Sequence, residues 1–273
     1  MVEEIHWRKN LYDNYGVPDN YTDNTFLKQL QKNIKPNNVT LLEAITLAAS
    51  ISIKLDIVVL FVIIFISLNN ECATPNFIFT LGVILTILGY LIYNFKVPNI
   101  LEKWTKDIRT VLVFLVFGYV LSPVLKTLTE SISTDTIYAM AIIMFFIHLI
   151  FGKYGCLEIC LSDSLSITSS IFGSLMLASR LASALHAFSL LTISVECFVL
   201  LPFLLYQMKN KLIISFLLAI GTIYALSVVS KVLSYALIIV TIYVHFICPG
   251  WYVRCQKYKN NIYGPWDEAI ITS

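Results

Sequence analysis

Seven ionisable side chains fall inside or beside long apolar runs: Lys54, Asp56, Asp163, Glu196, His148, His186 and His245. A charge placed in hydrocarbon costs roughly 3 kcal/mol even on insertion scales, so each calls for a role in proton or ion movement, lipid contact or pairing. Lys54 and Asp56 are two residues apart, which on a helix turns them to different sides and leaves them unable to pair with each other. No two histidines stand at a metal-ligand spacing, and no carboxylate joins them as in HExxH. Cys156 and Cys160 fit no metal or redox motif, and the six cysteines read as small hydrophobes in helices. The residues predict no metal, no cofactor and no catalytic group.

The most polar internal stretch is 122–137, which sets Lys126, Glu130, Asp135 and six hydroxyls (127, 129, 131, 133, 134 and 136) between two apolar runs. Pro123 ends or kinks the run before it, and Asp135 could cap the run after it. One reading is a polar pocket or re-entrant turn that holds a lipid headgroup. The other is a structured turn whose hydroxyls satisfy its own backbone. A second pattern repeats a small residue every fourth position: Ser162, Ser166, Ser170, Ser174 and Ala178, with Gly173 alongside. In lipid such a ridge lets helix backbones approach closely, which predicts a central, protein-buried helix.

The elements that carry these groups must be membrane helices. Of 273 residues 58% are hydrophobic and 13% charged, about half the usual charged share of a soluble domain. About 20 apolar helical residues cross a bilayer; candidate spans lie near 44–68, 76–95, 109–125, 136–152, 160–178, 184–206, 212–230 and 231–249. The expected fold is all-α, a polytopic bundle of about eight transmembrane helices. With the N-terminus cytoplasmic, fifteen Lys and Arg fall on that side and only Lys126, Arg180 and Lys231 opposite, which puts both termini in the cytoplasm. The organisation read from this is a cytoplasmic segment 1–40, a bundle 41–250 and a cytoplasmic tail 251–273. Within the first segment, Phe26, Leu27, Leu30 and Ile34 share one helical face and Lys28, Lys32 and Lys35 the other, predicting an amphipathic helix over 24–35 that lies on a membrane or a partner. The sequons at Asn20 and Asn38 would then stay unglycosylated. A net charge of +2 gives no reason to expect a nucleic-acid partner. No polar stretch exceeds about 45 residues, too short for a domain that could hold a nucleotide sugar, and no glycine-rich phosphate loop or GxSxG elbow is present.

Four stretches resemble one family. They are Pro18–Asp23 with Phe26-Leu27, Ser122–Met140, Leu177–Leu181 with Leu185–Phe188, and Gly264–Ala269. Together they are similar to the PIG-C family, one of the subunits of the transferase that begins synthesis of glycosylphosphatidylinositol (GPI) anchors. The resemblance implies a multi-pass endoplasmic reticulum protein in a complex that moves N-acetylglucosamine from UDP-N-acetylglucosamine to phosphatidylinositol. It implies the partners PIG-A, PIG-H, PIG-P, PIG-Q and PIG-Y, with transfer carried by PIG-A and this chain a non-catalytic scaffold that could present the lipid. Candidate residues for contact with lipid or with other subunits are Lys126, Glu130, Asp135, Arg180, His186, Trp266, Asp267 and Glu268. The alternatives are a transporter or lipid scramblase with a polar intramembrane pathway, and a lipid-modifying enzyme using Glu130, Asp135 or His186. The charge-derived topology puts 126–135 near the lumenal face, away from the side where transfer occurs.

Overall fold

A computed structural model describes residues 31–32, 39–94, 111–113, 115–120, 122–124, 127, 131–152, 154, 161–208, 210–259 and 262–263. Two bodies are distinguished, one spanning Leu41–Gly250 and the other drawn from Met1–Thr40 and Trp251–Ser273. In the first, the regular secondary structure of the described residues is all helical. Helix α1 is Leu41–Asn69, α2 Pro75–Asn94, α3 Val111–Val124, α4 Thr134–Ile150 and α5 Leu161–Ala178. Helix α6 runs over Ala184–Val195, a wider π turn Glu196–Leu200, and Leu201–Gln207. Helix α7 is Lys211–Val229. Helix α8 starts at Lys231–Ile242, passes a second π turn at Tyr243–Ile247, and continues through Cys248–Cys255 to a tight last turn at Gln256–Tyr258. Five of these, α1, α2, α6, α7 and α8, are long and apolar enough to cross a membrane, whereas α3, α4 and α5 are shorter apolar helices.

Core packing follows the aromatic side chains. Phe61 of α1, Phe145 of α4 and Phe198 of α6 meet as a triangle with ring centroids 5.2–5.8 Å apart, and Phe61 and Phe198 are fully buried. Around them close Ile57, Phe65, Leu177, Leu181 and Leu190. The serine ridge of α5 points inward, as its spacing predicts: Ser166, Ser170, Ser174 and Ala178 are all buried. The ridge costs little polarity, because Ser170 donates to Ile167 O at 2.8 Å and Ser174 to Ile171 O at 2.7 Å, within their own helix. Gly173 lies against α4, where an added Cβ would stand 3.3 Å from Met144 Cβ and 3.4 Å from the Ala141 carbonyl.

Helices α7 and α8 form an antiparallel hairpin broken at a single extended residue, Ser230 (φ −156°, ψ 120°). Ser215 on α7 and His245 on α8, each fifteen residues from that break, meet side chain to side chain at 2.9 Å. Both π turns have the same cause. Pro202 and Pro249 lack the N–H that would bond Phe198 O and His245 O, and their rings crowd those carbonyls. The residue before each proline reaches one residue further back instead, Leu201 N to Glu196 O and Cys248 N to Tyr243 O.

Two contacts tie the described residues of the second body together. Gln31–Lys32 and Ile262–Tyr263 pair as antiparallel two-residue strands β1 and β2, with Lys32 opposite Ile262, and Gln256 Nε2 donates to Val39 O at 3.3 Å. Most of the amphipathic helix expected over 24–35 lies outside the described residues. At Gln31 and Lys32 the expectation is corrected, because there the backbone is extended and hydrogen-bonded across to β2 rather than coiled on itself.

Candidate functional site

The polar stretch that ends the α3–α4 connection is described in part; Lys126 and Glu130 lie outside the described residues, as do Trp266, Asp267 and Glu268. What is described is a meeting of three chain turns. Ser133 is the N-cap of α4: its Oγ accepts from Thr136 N at 3.3 Å and shares a 2.6 Å hydrogen bond with Thr136 Oγ1. Asp135 therefore does not cap the helix as its sequence position suggested; it stands exposed in the first turn, where a carboxylate favours the positive end of the helix dipole. Ser183 caps α6 in the same way, and its Oγ shares a 2.7 Å bond with His186 Nδ1. Arg180, in the turn between α5 and α6, donates from Nη2 to Ile132 O at 2.8 Å. Ser122, at the end of α3, donates to Ala184 O. Arg180 and Ser122 thus fasten the 180–184 turn to two points of the polar stretch, Ile132 and Ser122. The sequence points to the residue types of this latch but not to its acceptors, which are backbone carbonyls and leave no mark in composition.

Of the ionisable groups in the apolar runs, the Asp163 side chain lies outside the described residues, and Asp56 and Lys54 are held apart from each other. Asp56 is fully buried on α1, its two carboxyl oxygens each accepting at 3.3 Å, one from Ser52 and the other from Thr222 of α7. Lys54, two residues away, points elsewhere, as the helical angle requires. Its ammonium lies 4.7 Å from the centre of the Tyr154 ring, over Gly152, where an added Cβ would come within 2.6 Å of Nζ and 3.1 Å of the His148 carbonyl. A cation at that place faces the carboxyl end of α4, the favourable end of the dipole for positive charge. Tyr154 donates to Leu149 O at 2.6 Å, and burial pushes its phenol up to about 12, so it remains a donor at every physiological pH. His148 is buried against Phe198 at 5.2 Å and joins α4 to α5 through Ser166: Nδ1 lies 2.8 Å from Ser166 O and 2.9 Å from its Oγ, which also donates back to His148 O. His245 sits in the α8 π turn between Ser215 and Thr241 O. Glu196 opens the α6 π turn, and an added Cβ at Gly82 of α2 would lie 2.9 Å from both its carboxyl oxygens. The partners Ser52, Thr222, Gly152, Tyr154 and Ser215 were not singled out in the sequence, and Pro202 and Pro249 were the available signal for the two π turns. Among the described residues no three His, Cys, Asp or Glu side chains gather in a way that could hold a metal.

This arrangement can brace helices against each other in lipid, with Asp56, His148 and His245 each answered by hydroxyls or carbonyls. The comparisons with known proteins agree on what the bundle is. The phosphatidylinositol N-acetylglucosaminyltransferase family profile matches residues 7–267. The bovine (Bos taurus) C subunit of phosphatidylinositol N-acetylglucosaminyltransferase is 37% identical over 99% of this chain and 94% of its own length, and its Homo sapiens counterpart is 36% identical over the same shares. The GPI2 subunit of Schizosaccharomyces pombe is 27% identical over 97% of this chain and 86% of its own length. No solved structure matches. The match covers nearly the whole chain, and the chain belongs to the PIG-C family of phosphatidylinositol N-acetylglucosaminyltransferase subunits.

Proposed function

We propose that this chain is a non-catalytic membrane subunit of the complex that transfers N-acetylglucosamine from UDP-N-acetylglucosamine to phosphatidylinositol, the first step of GPI-anchor synthesis. The observation that carries this is the end-to-end similarity to proteins named as the C subunit of that transferase. A bundle whose described polar groups mostly bind backbone or one another supports a bracing role. The proposed setting is the endoplasmic reticulum membrane, with PIG-A as the catalytic partner and PIG-H, PIG-P, PIG-Q and PIG-Y as further subunits. Eight spans with both termini cytoplasmic is the topology proposed. The one-residue hairpin at Ser230 favours two separate last spans, and α4 and α5, about 26 Å long at 1.5 Å per residue, come close to the hydrocarbon thickness. Lys126, Glu130, Asp135, Arg180 and His186 are proposed as residues that pack against other subunits on the lumenal side, and Trp266, Asp267 and Glu268 as a cytoplasmic docking segment.

The alternative, a transporter or scramblase, draws on Glu196 and His245, each placed at a break in a membrane helix. Purification of the tagged chain in mild detergent, with and without co-expressed PIG-A, separates the readings. Transfer of labelled N-acetylglucosamine to phosphatidylinositol only when PIG-A co-purifies supports the scaffold. Activity without PIG-A would assign chemistry to this chain, and a folded chain with neither activity nor co-purification would bring the transporter forward.

A further inference from the structure

The last helix carries a ladder at the point where it leaves the apolar zone. Trp251, Arg254, Cys255 and Tyr258 follow one another at helical spacing along one side of α8, and Lys257 and Lys259 stand beside them. Trp251 is 61% exposed and Tyr258 85%, and Arg254, Lys257 and Lys259 are all exposed. Seven residues of helix rise about 10 Å, close to the depth of one headgroup layer. An indole at the hydrocarbon boundary and a phenol about 10 Å further out, with cations between and beyond, match the layered polarity of a phospholipid surface. Three residues past Lys259 the chain enters β2, which pairs with β1 and sets Lys32 opposite Ile262.

We infer that this exit, with Arg254, Lys257 and Lys259, binds the phosphates of anionic phospholipids in the leaflet it faces. The charge complementarity and the continuity with a membrane helix commit the surface to lipid rather than to an acidic protein. Recognition is by charge: each cation beside an anionic surface is worth about five-fold in partition at low salt, and the phosphodiester is common to phosphatidylinositol and phosphatidylserine. The inference is separate from the scaffold reading and holds whether or not the transferase draws its substrate from this place.

The test uses the full chain, purified in mild detergent and exchanged into nanodiscs of phosphatidylcholine alone, or with an equal share of phosphatidylinositol or phosphatidylserine added. Lipid retained through detergent re-extraction is counted by mass spectrometry. The wild-type chain is expected to retain both anionic lipids over phosphatidylcholine, with the preference collapsing in high salt. Arg254→Gln, Lys257→Gln and Lys259→Gln combined should reduce the preference at least ten-fold, while Arg254→Lys with Lys257→Arg keeps it. Lys231→Gln, at the opposite end of α8, should leave it unchanged. Unaltered retention in the triple variant, an equal loss in Lys231→Gln, or enrichment of phosphatidylinositol without phosphatidylserine would each overturn the inference. Because the exchanged side chains are exposed, elution volume and melting temperature should match wild type. A triple variant that melts earlier is judged instead by the charge-preserving pair, whose loss of the preference would overturn the inference and whose retention of it would uphold it.

Discussion

Asp56 offers the sharpest test of whether the buried polar groups brace or conduct. Its carboxyl is fully buried between α1 and α7, with Ser52 and Thr222 each donating at 3.3 Å. Thr222 has one hydroxyl hydrogen and a nearer acceptor in Ala219 O at 3.0 Å, so removal of the carboxyl leaves it satisfied. Ser52 has no other acceptor among the described hydrogen bonds. Asp56→Ala therefore orphans one buried hydroxyl and opens a small void, a cost of about 1–3 kcal/mol by soluble-protein measurements and nearer 1 by membrane double-mutant cycles. For a chain of this size that lowers the melting temperature by about 2–6 °C. Asp56→Asn keeps one acceptor oxygen and presents an N–H₂ that Ser52 Oγ can accept, so stability should stay within about 0.5 kcal/mol of wild type. The assay is thermal loss of the monodisperse peak of a fluorescent fusion in detergent, paired with transferase activity of the co-expressed complex. An Asn variant as unstable as the Ala variant would refute the hydrogen-bond account. An Asn variant that is stable and assembled yet inactive would refute the bracing role, because the helix contact then survives while the ionisable group is gone.

Three further outcomes follow from the same structure. Gly173→Val should abolish recovery of folded chain, since a first Cβ already stands at 3.3–3.4 Å from α4 and two more methyls overpack the helix pair by about 2–3 kcal/mol; recovery by size exclusion checks it. Ser133→Ala should destabilise by about 1 kcal/mol through loss of the α4 cap, and Asp135→Asn by about 0.5 or less through the dipole alone; loss of transfer in the Asp135 variant with an intact complex would instead favour chemistry at that residue. On the proposed topology a sequon engineered into the 70–74 turn should be glycosylated while Asn20 and Asn38 are not, read by endoglycosidase-sensitive mobility; modification of Asn20 or Asn38 would reverse the orientation.

The helices were legible because membrane spans are written as long apolar runs, and the α7–α8 break was marked by Ser230 and Lys231 alone. The ridge on α5 was legible for a related reason: burying a helix among helices selects small residues at a fixed spacing. The acceptors of Arg180 and Ser122 were not legible, because backbone carbonyls are the same at every position. Nor was the placing of Lys54 beside the Tyr154 ring and the carboxyl end of α4. The N-terminal segment misled at Gln31 and Lys32, where an amphipathic pattern fits a helix locally but the backbone hydrogen bonds go to a strand about 230 residues away in sequence.

That distant pairing has a consequence in time. A ribosome adds about 5–20 residues per second, so β1 waits on the order of 10–50 s after its own synthesis before β2 exists. Throughout that interval every helix of the bundle is being inserted while the strand near the start of the chain has no partner to close on. The β1–β2 pairing therefore completes after all the helices have been made, and a chain cut short before Ile262 would carry its defect at Gln31 and Lys32 as well as at the cut.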